Sequence, residues 1–553
     1  DGGAAKMRAI AEEASAMVRQ FKGAYSGEHG DGLVRSEWVA WQFGPRLTHA
    51  FEEVKEAFDP LGLMNPGKIV RPPRMDDASL FRFRPGYAPQ PLATALDWSA
   101  WDVQNDPLTE RTSAPGTGGD PARGFAKAVE MCNNNGHCRK FDAGTMCPSY
   151  RATRDERDLT RGRANTLRLA LSGQLGEDAL VSQAMYDTMS LCVGCKGCKR
   201  ECPTGVDMAR MKTEFLYHYR KRHPLRLRER MVAFLPRYAP WLSRLPWLAN
   251  LRDRLPGAAW LGERLLGLSA RRRLPVWRRD VFTRDRGQAR EGVAAPAGDG
   301  LDVVLWADTF DNYFEPGNLR AARRVLQAAG YRVHVARAAD GDANPRRPLC
   351  CGKTFLATGL VHEARAQARR TLAALAPWVQ RGVPVVGLEP SCLLTMRDEF
   401  LVLGLGEAAG ALASQAMLFE EFLAREHEAG RLKLALRALP QARALLHGHC
   451  HQKAFDAIAP IRTVLGLIPS LKVELIESSC CGMAGAFGYE AEHHDISMKM
   501  GEAALLPAVR AAGPGDIVVA DGTSCRHQIA DGANRSAEHV ACVLERALAD
   551  RAS

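Results

Sequence analysis

No run of apolar residues in this chain approaches the ~18–20 that a membrane-spanning helix needs. No secretory leader opens it. It carries no recognisable nucleic-acid-binding motif. These absences weigh against a helical membrane protein, a secreted disulfide scaffold and a nucleic-acid reader, and a cytoplasmic location is expected. The first residue is Asp1 and not Met, so the chain is expected to begin inside a longer protein. Hydrophobic residues make up 46% and charged ones 25%, as in ordinary globular proteins. At 553 residues, a prior of about 150 per domain gives three or four domains.

What is plentiful is cysteine: 15 residues, strongly clustered, which points to metal in a reducing compartment. The densest group is Cys192-Val-Gly-Cys195-Lys-Gly-Cys198-Lys-Arg-Glu-Cys202-Pro203. This C-x2-C-x2-C-x3-C-P spacing is the bacterial ferredoxin run. Three thiolates take three corners of a [4Fe–4S] cube, and the Cys before Pro ligates the other cluster of a pair. Zinc normally asks for two C-x2-C pairs or for Cys with His, and disulfides suit small secreted domains. An earlier group, Cys132-Asn-Asn-Asn-Gly-His-Cys138 and then Cys147-Pro148, is a relaxed copy with Asn135 where a second Cys would fall. By the cross-over rule, Cys147, Cys192, Cys195 and Cys198 complete one cluster. Cys132, Cys138 and Cys202 leave a second one short of a ligand. A three-iron form, a fourth ligand from Asn135 or His137, or no second cluster all stay open, and its presence is expected.

The run Ser149-Tyr150-Arg-Ala-Thr153, followed by Arg161-Gly162-Arg163-Ala164, resembles the helical ferredoxin domain of anaerobic glycerol-3-phosphate and D-lactate/glycolate dehydrogenase electron-transfer subunits. Helical periodicity in 163–172 and 178–191 places helices between the two cysteine loops.

Near the start, apolar residues recur at helical spacing over 4–22. Ser26-Gly27-Glu28-His29-Gly30-Asp31-Gly32, a short helix over 51–58 and Asn65-Pro66-Gly67-Lys68 follow. These motifs resemble the C-terminal end of the FAD-linked oxidases that oxidise D-2-hydroxy acids. The resemblance implies that Glu28 ligates a divalent metal (Zn or Mn), that His29 is the catalytic base and that Asn65 and Lys68 lie near the flavin. A metal-bound substrate hydroxyl would give its proton to neutral His29 as hydride leaves to FAD. The FAD-binding half and the family's two upstream His ligands are absent from this stretch, so an FAD-binding half, in the same protein or a separate one, is an expected partner.

The last 250 residues repeat themselves. Strands at 303–307, 331–336 and 383–388 alternate with helices and carry Cys350-Cys351-Gly352 and Cys392. Strands at 445–449, 471–476 and 516–520 do the same around Cys450, Cys480-Cys481-Gly482 and Cys525. Alternation of this kind predicts parallel α/β units. The Cys-Cys-Gly steps resemble the cysteine-rich CCG domain of heterodisulfide reductase, in which each repeat supports an iron–sulfur centre. The second repeat has a full set in Cys450, Cys480, Cys481 and Cys525, flanked by His449 and His451. The first has Cys350, Cys351 and Cys392, but Ala307-Asp308-Thr309-Phe310 stands where an opening Cys is expected. Cys542 reads as core.

Charge is the last asymmetry. Residues 210–286 hold 20 basic and 6 acidic side chains, a net of +14 against +11 for the whole chain. Trp241, Trp247, Trp260 and Trp277 sit among them. The first reading is solvated helices whose Trp and Leu pack on a neighbouring domain. The second is a peripheral contact with an anionic bilayer, on the inner membrane. Nucleic acid is third.

The expected architecture is therefore multidomain α/β. Residues 1–75 are the tail of an FAD-linked oxidase cap, 76–123 a linker and 124–290 an α-helical 4Fe–4S ferredoxin domain with the basic segment. Residues 300–410 and 411–553 are two pseudo-symmetric α/β CCG repeats. The expected function is the electron-transfer part of a flavin and iron–sulfur oxidoreductase. It would take electrons from a D-2-hydroxy acid (D-lactate, D-2-hydroxyglutarate or glycolate) and pass them to a quinone or other carrier. A disulfide-reducing enzyme and a zinc-stabilised scaffold are the alternatives.

Overall fold

Glycine and proline set where the first helices turn. The structure is a computed structural model that describes residues 3–26, 29–83, 87–102, 119–142, 144–285, 302–345 and 347–549. The chain divides into two units, residues 1–88 and 89–553. In the first, helix Gly3–Gln20 is followed by helix Val39–Phe58. The sequence predicts only the end of the second helix, a short one over 51–58, and the structure extends it back across Gly44-Pro45. Gly44 does leave helical geometry (φ 76°), but Pro45 restarts the helix, where its missing N–H costs nothing. Asp59 ends it by accepting from Lys55 Nζ (2.6 Å) and from the amides of Leu63 and Met64. Arg8 ties the first helix to Glu37 and Asp76, both at 3.0 Å.

The second unit opens with a segment read from sequence as linker, and part of it is core. Trp98 is 2% exposed. Its Nε1 and the amides of Ala95 and Leu96 all donate to buried Glu214 at 2.7–3.0 Å. Proline, serine and glycine around it masked this anchor in the sequence. Short helices follow, among them Pro148–Thr153, Thr160–Leu171, Gln183–Ser190, Gly197–Glu201 and Met208–Arg220. The cysteine loops lie between them.

Two parallel sheets complete the unit. The first has β1 (Asp302–Trp306), β2 (Arg332–Val335), β3 (Val385–Gly387) and β4 (Ala416–Leu418) in the order β2-β1-β3-β4. The second has β5 (Arg443–Leu446), β6 (Lys472–Leu475) and β7 (Ile517–Val519) in the order β6-β5-β7. In each sheet the opening strand is central, the second strand lies on one side and the third on the other, which is one topology used twice. β1 is buried at all five positions, as a strand covered on both faces requires. β4 pairs with β3, so the first sheet ends beyond residue 411. A continuous apolar core runs under both sheets, with Val303, Leu305 and Val386 of the first beside Leu446 and Val519 of the second.

The basic segment departs from its first reading. Trp277 does pack on Phe314, with ring centroids 4.7 Å apart. Trp241, Trp247 and Trp260 instead remain 67%, 58% and 60% exposed. No helix among the described residues is long and apolar enough to cross a membrane.

Candidate functional site: three cysteine groups around one helix

Cys147, Cys192, Cys195 and Cys198 line one cavity, together with Thr160, Arg163, Lys196 and Met208. Two loops far apart in sequence supply them. Gly194 turns with φ 62° between Cys192 and Cys195, and Gly197 lies so close to Thr145 that a Cβ would approach its side chain to 3.1 Å. Backbone amides aim at the sulfurs: Thr160 N at Cys147 Sγ and Met208 N at Cys198 Sγ, each at 3.3 Å. Arg163, 1% exposed, fastens the loops with bonds to Thr188 O, Asp158 O and Ser149 Oγ. Burial pushes the Cys147 thiol up to about 11, and burial likewise raises Cys195 and Cys198. Dry thiols with amides at their sulfurs suit a metal that displaces the protons. This donor set fits a [4Fe–4S] cluster.

The remaining ferredoxin-type cysteines are less gathered. Cys132 and Cys138 are buried near each other, and burial raises Cys138. Cys202 is half-buried beside Thr204 Oγ1 at 3.3 Å. Asn135 is exposed and its amide turns back to Asn133 at 2.5 Å.

In the second repeat, Cys450 opens helix Cys450–Ala454, and Cys525 is the third residue of helix Thr523–Ala533. Cys480 lies beside both Cys450 and Cys481, and Cys481 beside Cys525. A hydrogen bond with Cys480 holds the Cys450 thiol down at about 6. Sequence reasoning named His449 and His451 here and missed His447. Its ring nitrogen and the Cys481 and Cys525 sulfurs lie within 4.8 Å of one another. Burial lowers His447 to about 4, so the ring is neutral, as a metal ligand has to be, and Nδ1 is fixed by Ser478 Oγ at 2.9 Å. The cue was its position just after β5.

The first repeat copies this geometry two donors short, with Thr309 in place of Cys450 and Ala307 in place of His447. Cys392 is again the third residue of its helix, Pro390–Met396. Gly352 N donates to Cys350 Sγ and Gly482 N to Cys480 Sγ, both at 3.4 Å, and both glycines have positive φ. Where Cys450 opens its helix, Thr309 opens helix Thr309–Tyr313, and Thr309 hydrogen-bonds to Cys350. Cys542 is half-buried and donates to Asn318 Oδ1 at 3.3 Å, away from these groups.

Helix Cys450–Ala454 packs against both Gly197–Glu201 and Pro390–Met396, which brings the three groups together. His451 Nε2 meets Gly194 O at 3.0 Å. Lys196, 2% exposed, bonds Asp398 and Glu399 at 2.6 and 2.7 Å, and Lys353 bonds Glu399 at 2.6 Å.

In the first unit, Glu28 lies outside the described residues. His29 is on an exposed turn, Asn65 is exposed with φ 46°, and Lys68 Nζ donates to Pro66 O at 3.4 Å.

Comparison with known proteins adds names to these pieces. Residues 1–69 match the family described as FAD linked oxidases, C-terminal domain, and residues 128–206 match the 4Fe-4S dicluster domain. D-2-hydroxyglutarate dehydrogenase of Pseudomonas putida is 28% identical over 97% of this chain and 52% of its own length. The enzyme of that name from Escherichia coli K12 is 27% identical over 95% and 51%. One subunit of the anaerobic glycerol-3-phosphate dehydrogenase of Escherichia coli K12 is 28% identical over 56% of this chain and 73% of its own. The chain spans about half the length of the D-2-hydroxyglutarate dehydrogenases it matches.

Proposed function

We propose that this chain is the electron-transfer part of an FAD-linked, iron–sulfur 2-hydroxy-acid dehydrogenase. The observation that carries the proposal is the single cavity in which Cys147 meets Cys192, Cys195 and Cys198. A [4Fe–4S] cluster held there would supply one-electron transfer. Cys450 lies close enough to Cys195 to raise it electrostatically, so the second cysteine group is the natural next station. On this reading Cys450, Cys480, Cys481, Cys525 and His447 hold a further iron–sulfur centre of the CCG kind. Cys350, Cys351 and Cys392 form an incomplete counterpart, and Cys132, Cys138 and Cys202 serve a second ferredoxin-type cluster. FAD, the hydroxy acid, Glu28 with its divalent metal, and His29 as base belong to the part of the enzyme to which residues 1–75 contribute. Asn65 and Lys68 would border the flavin. The relatives' names favour D-2-hydroxyglutarate as the hydroxy acid, and a quinone or other carrier, met at a membrane surface, is the acceptor on this reading.

Iron and acid-labile sulfide, measured with EPR on protein purified without oxygen, test this. Eight or more irons per chain, with one signal lost in Cys195→Ser, are expected. About four would leave the ferredoxin site alone. Zinc without iron would sink the proposal and favour a scaffold.

One observation favours thiol–disulfide chemistry instead: Cys480 lies beside both Cys450 and Cys481, an arrangement that also holds the Cys450 thiol down. Reduction of a small disulfide by the dithionite-reduced protein would support that reading, and inertness would remove it.

A further inference from the structure

Nine of the large apolar side chains left exposed on this protein fall between residues 241 and 276, Trp241, Trp247, Leu255, Trp260 and Leu265 among them. They ride on short helices, Leu235–Leu242, Pro246–Ala249 and Ala258–Leu266, joined by a 3-10 turn at Leu251–Asp253. Proline at 246 and 256 keeps each helix too short to enter a bilayer end-on.

The run is fixed from behind. Asn250 exchanges two hydrogen bonds with the backbone of Trp277, at 2.9 and 3.1 Å. Arg252 donates to the carbonyls of Ser269 (2.6 Å) and Arg272 (3.0 Å). Arg272, itself buried, reaches into the second repeat through Gly488 O, Ser497 Oγ and Asp531. The Trp and Leu side chains therefore stand on an ordered base and yet face water. Several large apolar side chains left exposed on one short, ordered stretch mark an interaction site.

Charge identifies the occupant. Residues 241–279 hold nine arginines against Asp253 and Glu263, and each of the two acids is also engaged by a backbone amide, Leu274 N and Ala270 N respectively. Arg244 lies over Trp241 and Arg264 over Trp260, at 4.8 and 5.5 Å from the ring centres. Tryptophan rings paired with cationic heads suit the boundary between acyl chains and anionic headgroups. We propose that residues 235–279 form a peripheral membrane-binding face for a bilayer that carries anionic phospholipid. This deepens the electron-transfer reading by giving the acceptor end a place, and it rests on that reading only for its purpose.

The test uses the full chain with its metal and no substrate. Sedimentation with vesicles of phosphatidylcholine alone is compared with phosphatidylcholine containing phosphatidylglycerol, at low and high salt, with tryptophan emission followed in parallel. Binding to the anionic vesicles, a blue shift and weakening by salt are expected. Arg254→Gln or Arg264→Gln should each lower partitioning about fivefold. The triple variant Trp241→Ser, Trp247→Ser, Trp260→Ser should lower it at least about tenfold. Because these rings are in solvent, the variant should keep its melting temperature and iron content. No sedimentation with anionic vesicles, or equal binding by the triple variant, overturns the proposal. A vesicle-free dimer dissolved by the same substitutions would assign the face to a second copy and overturn it too. Failure here leaves the iron measurement untouched, and loss of iron leaves this one untouched.

Discussion

At the scale of single residues, the duplicated glycines after the cysteine pairs are the most exacting positions. A Cβ on Gly482 would come 2.2 Å from Ser497 O, and φ is +91°. Gly482→Ala should therefore cost on the order of 3 kcal/mol or more, the sum of left-handed strain and a backbone clash. Denaturant unfolding would read it, and metal analysis should show the second cysteine group emptied while the Cys192–Cys198 site stays filled. His447→Gln is expected to weaken metal retention at the same group by about 10–100-fold without moving the unfolding midpoint of the apoprotein by more than about 1 kcal/mol. Metal content after graded chelation decides that. The cysteines and the glycines were legible from spacing. His447 was not, because a lone histidine after a strand has no motif, and only the fold brings it to Cys481 and Cys525.

At the scale of elements, helix Thr523–Ala533 is locked to the segment before helix Pro316–Ala328 by Arg526. Arg526 Nε bonds Glu315 Oε1 at 3.0 Å, and Thr523 Oγ1 bonds Glu315 Oε2 at 2.9 Å. Burial would raise the Glu315 carboxyl, but the Arg526 guanidinium overrides it and holds the group at about 2. An unfolded glutamate titrates near 4.3, so the folded form is the stronger acid. The stability this lends, about 3 kcal/mol, is present above pH ~4.3 and is lost as pH falls towards 2. Glu315→Gln should flatten that acid limb of the stability curve and cost about 3 kcal/mol at neutral pH, since buried Arg526 loses its nearest carboxylate and keeps Asp311 at 3.8 Å and the carbonyls of Ala520 and Asp521. Unfolding curves between pH 2 and 7 measure both. The strands and helices of this region follow from the sequence pattern, whereas the lock joins residues 211 positions apart.

At the scale of the whole second unit, Lys196 holds the ferredoxin loop to the first repeat. It sits between two cluster cysteines and bonds Asp398 and Glu399, of which Glu399 also takes Lys353 from just after the Cys350-Cys351 pair. Lys196→Met should leave Asp398 with Lys199 alone and Glu399 with Lys353 alone, and destabilise the unit by about 1–3 kcal/mol. Lys196→Arg should restore part of it. Thermal melting of the two variants with iron bound checks this. Sequence by itself determined the local patterns: thiol spacing of the kind that suits iron, alternation of strand and helix that gives parallel units, and a Cys-Cys-Gly step that occurs twice, all because each depends on neighbours within a few residues. The tertiary structure alone decided that helix Cys450–Ala454 gathers the three cysteine groups, that Trp98 and Glu214 make part of the linker core, and that Trp241, Trp247 and Trp260 face water. These outcomes depend on which surfaces meet across hundreds of residues, and side-chain burial is settled only when the opposing surface is in place.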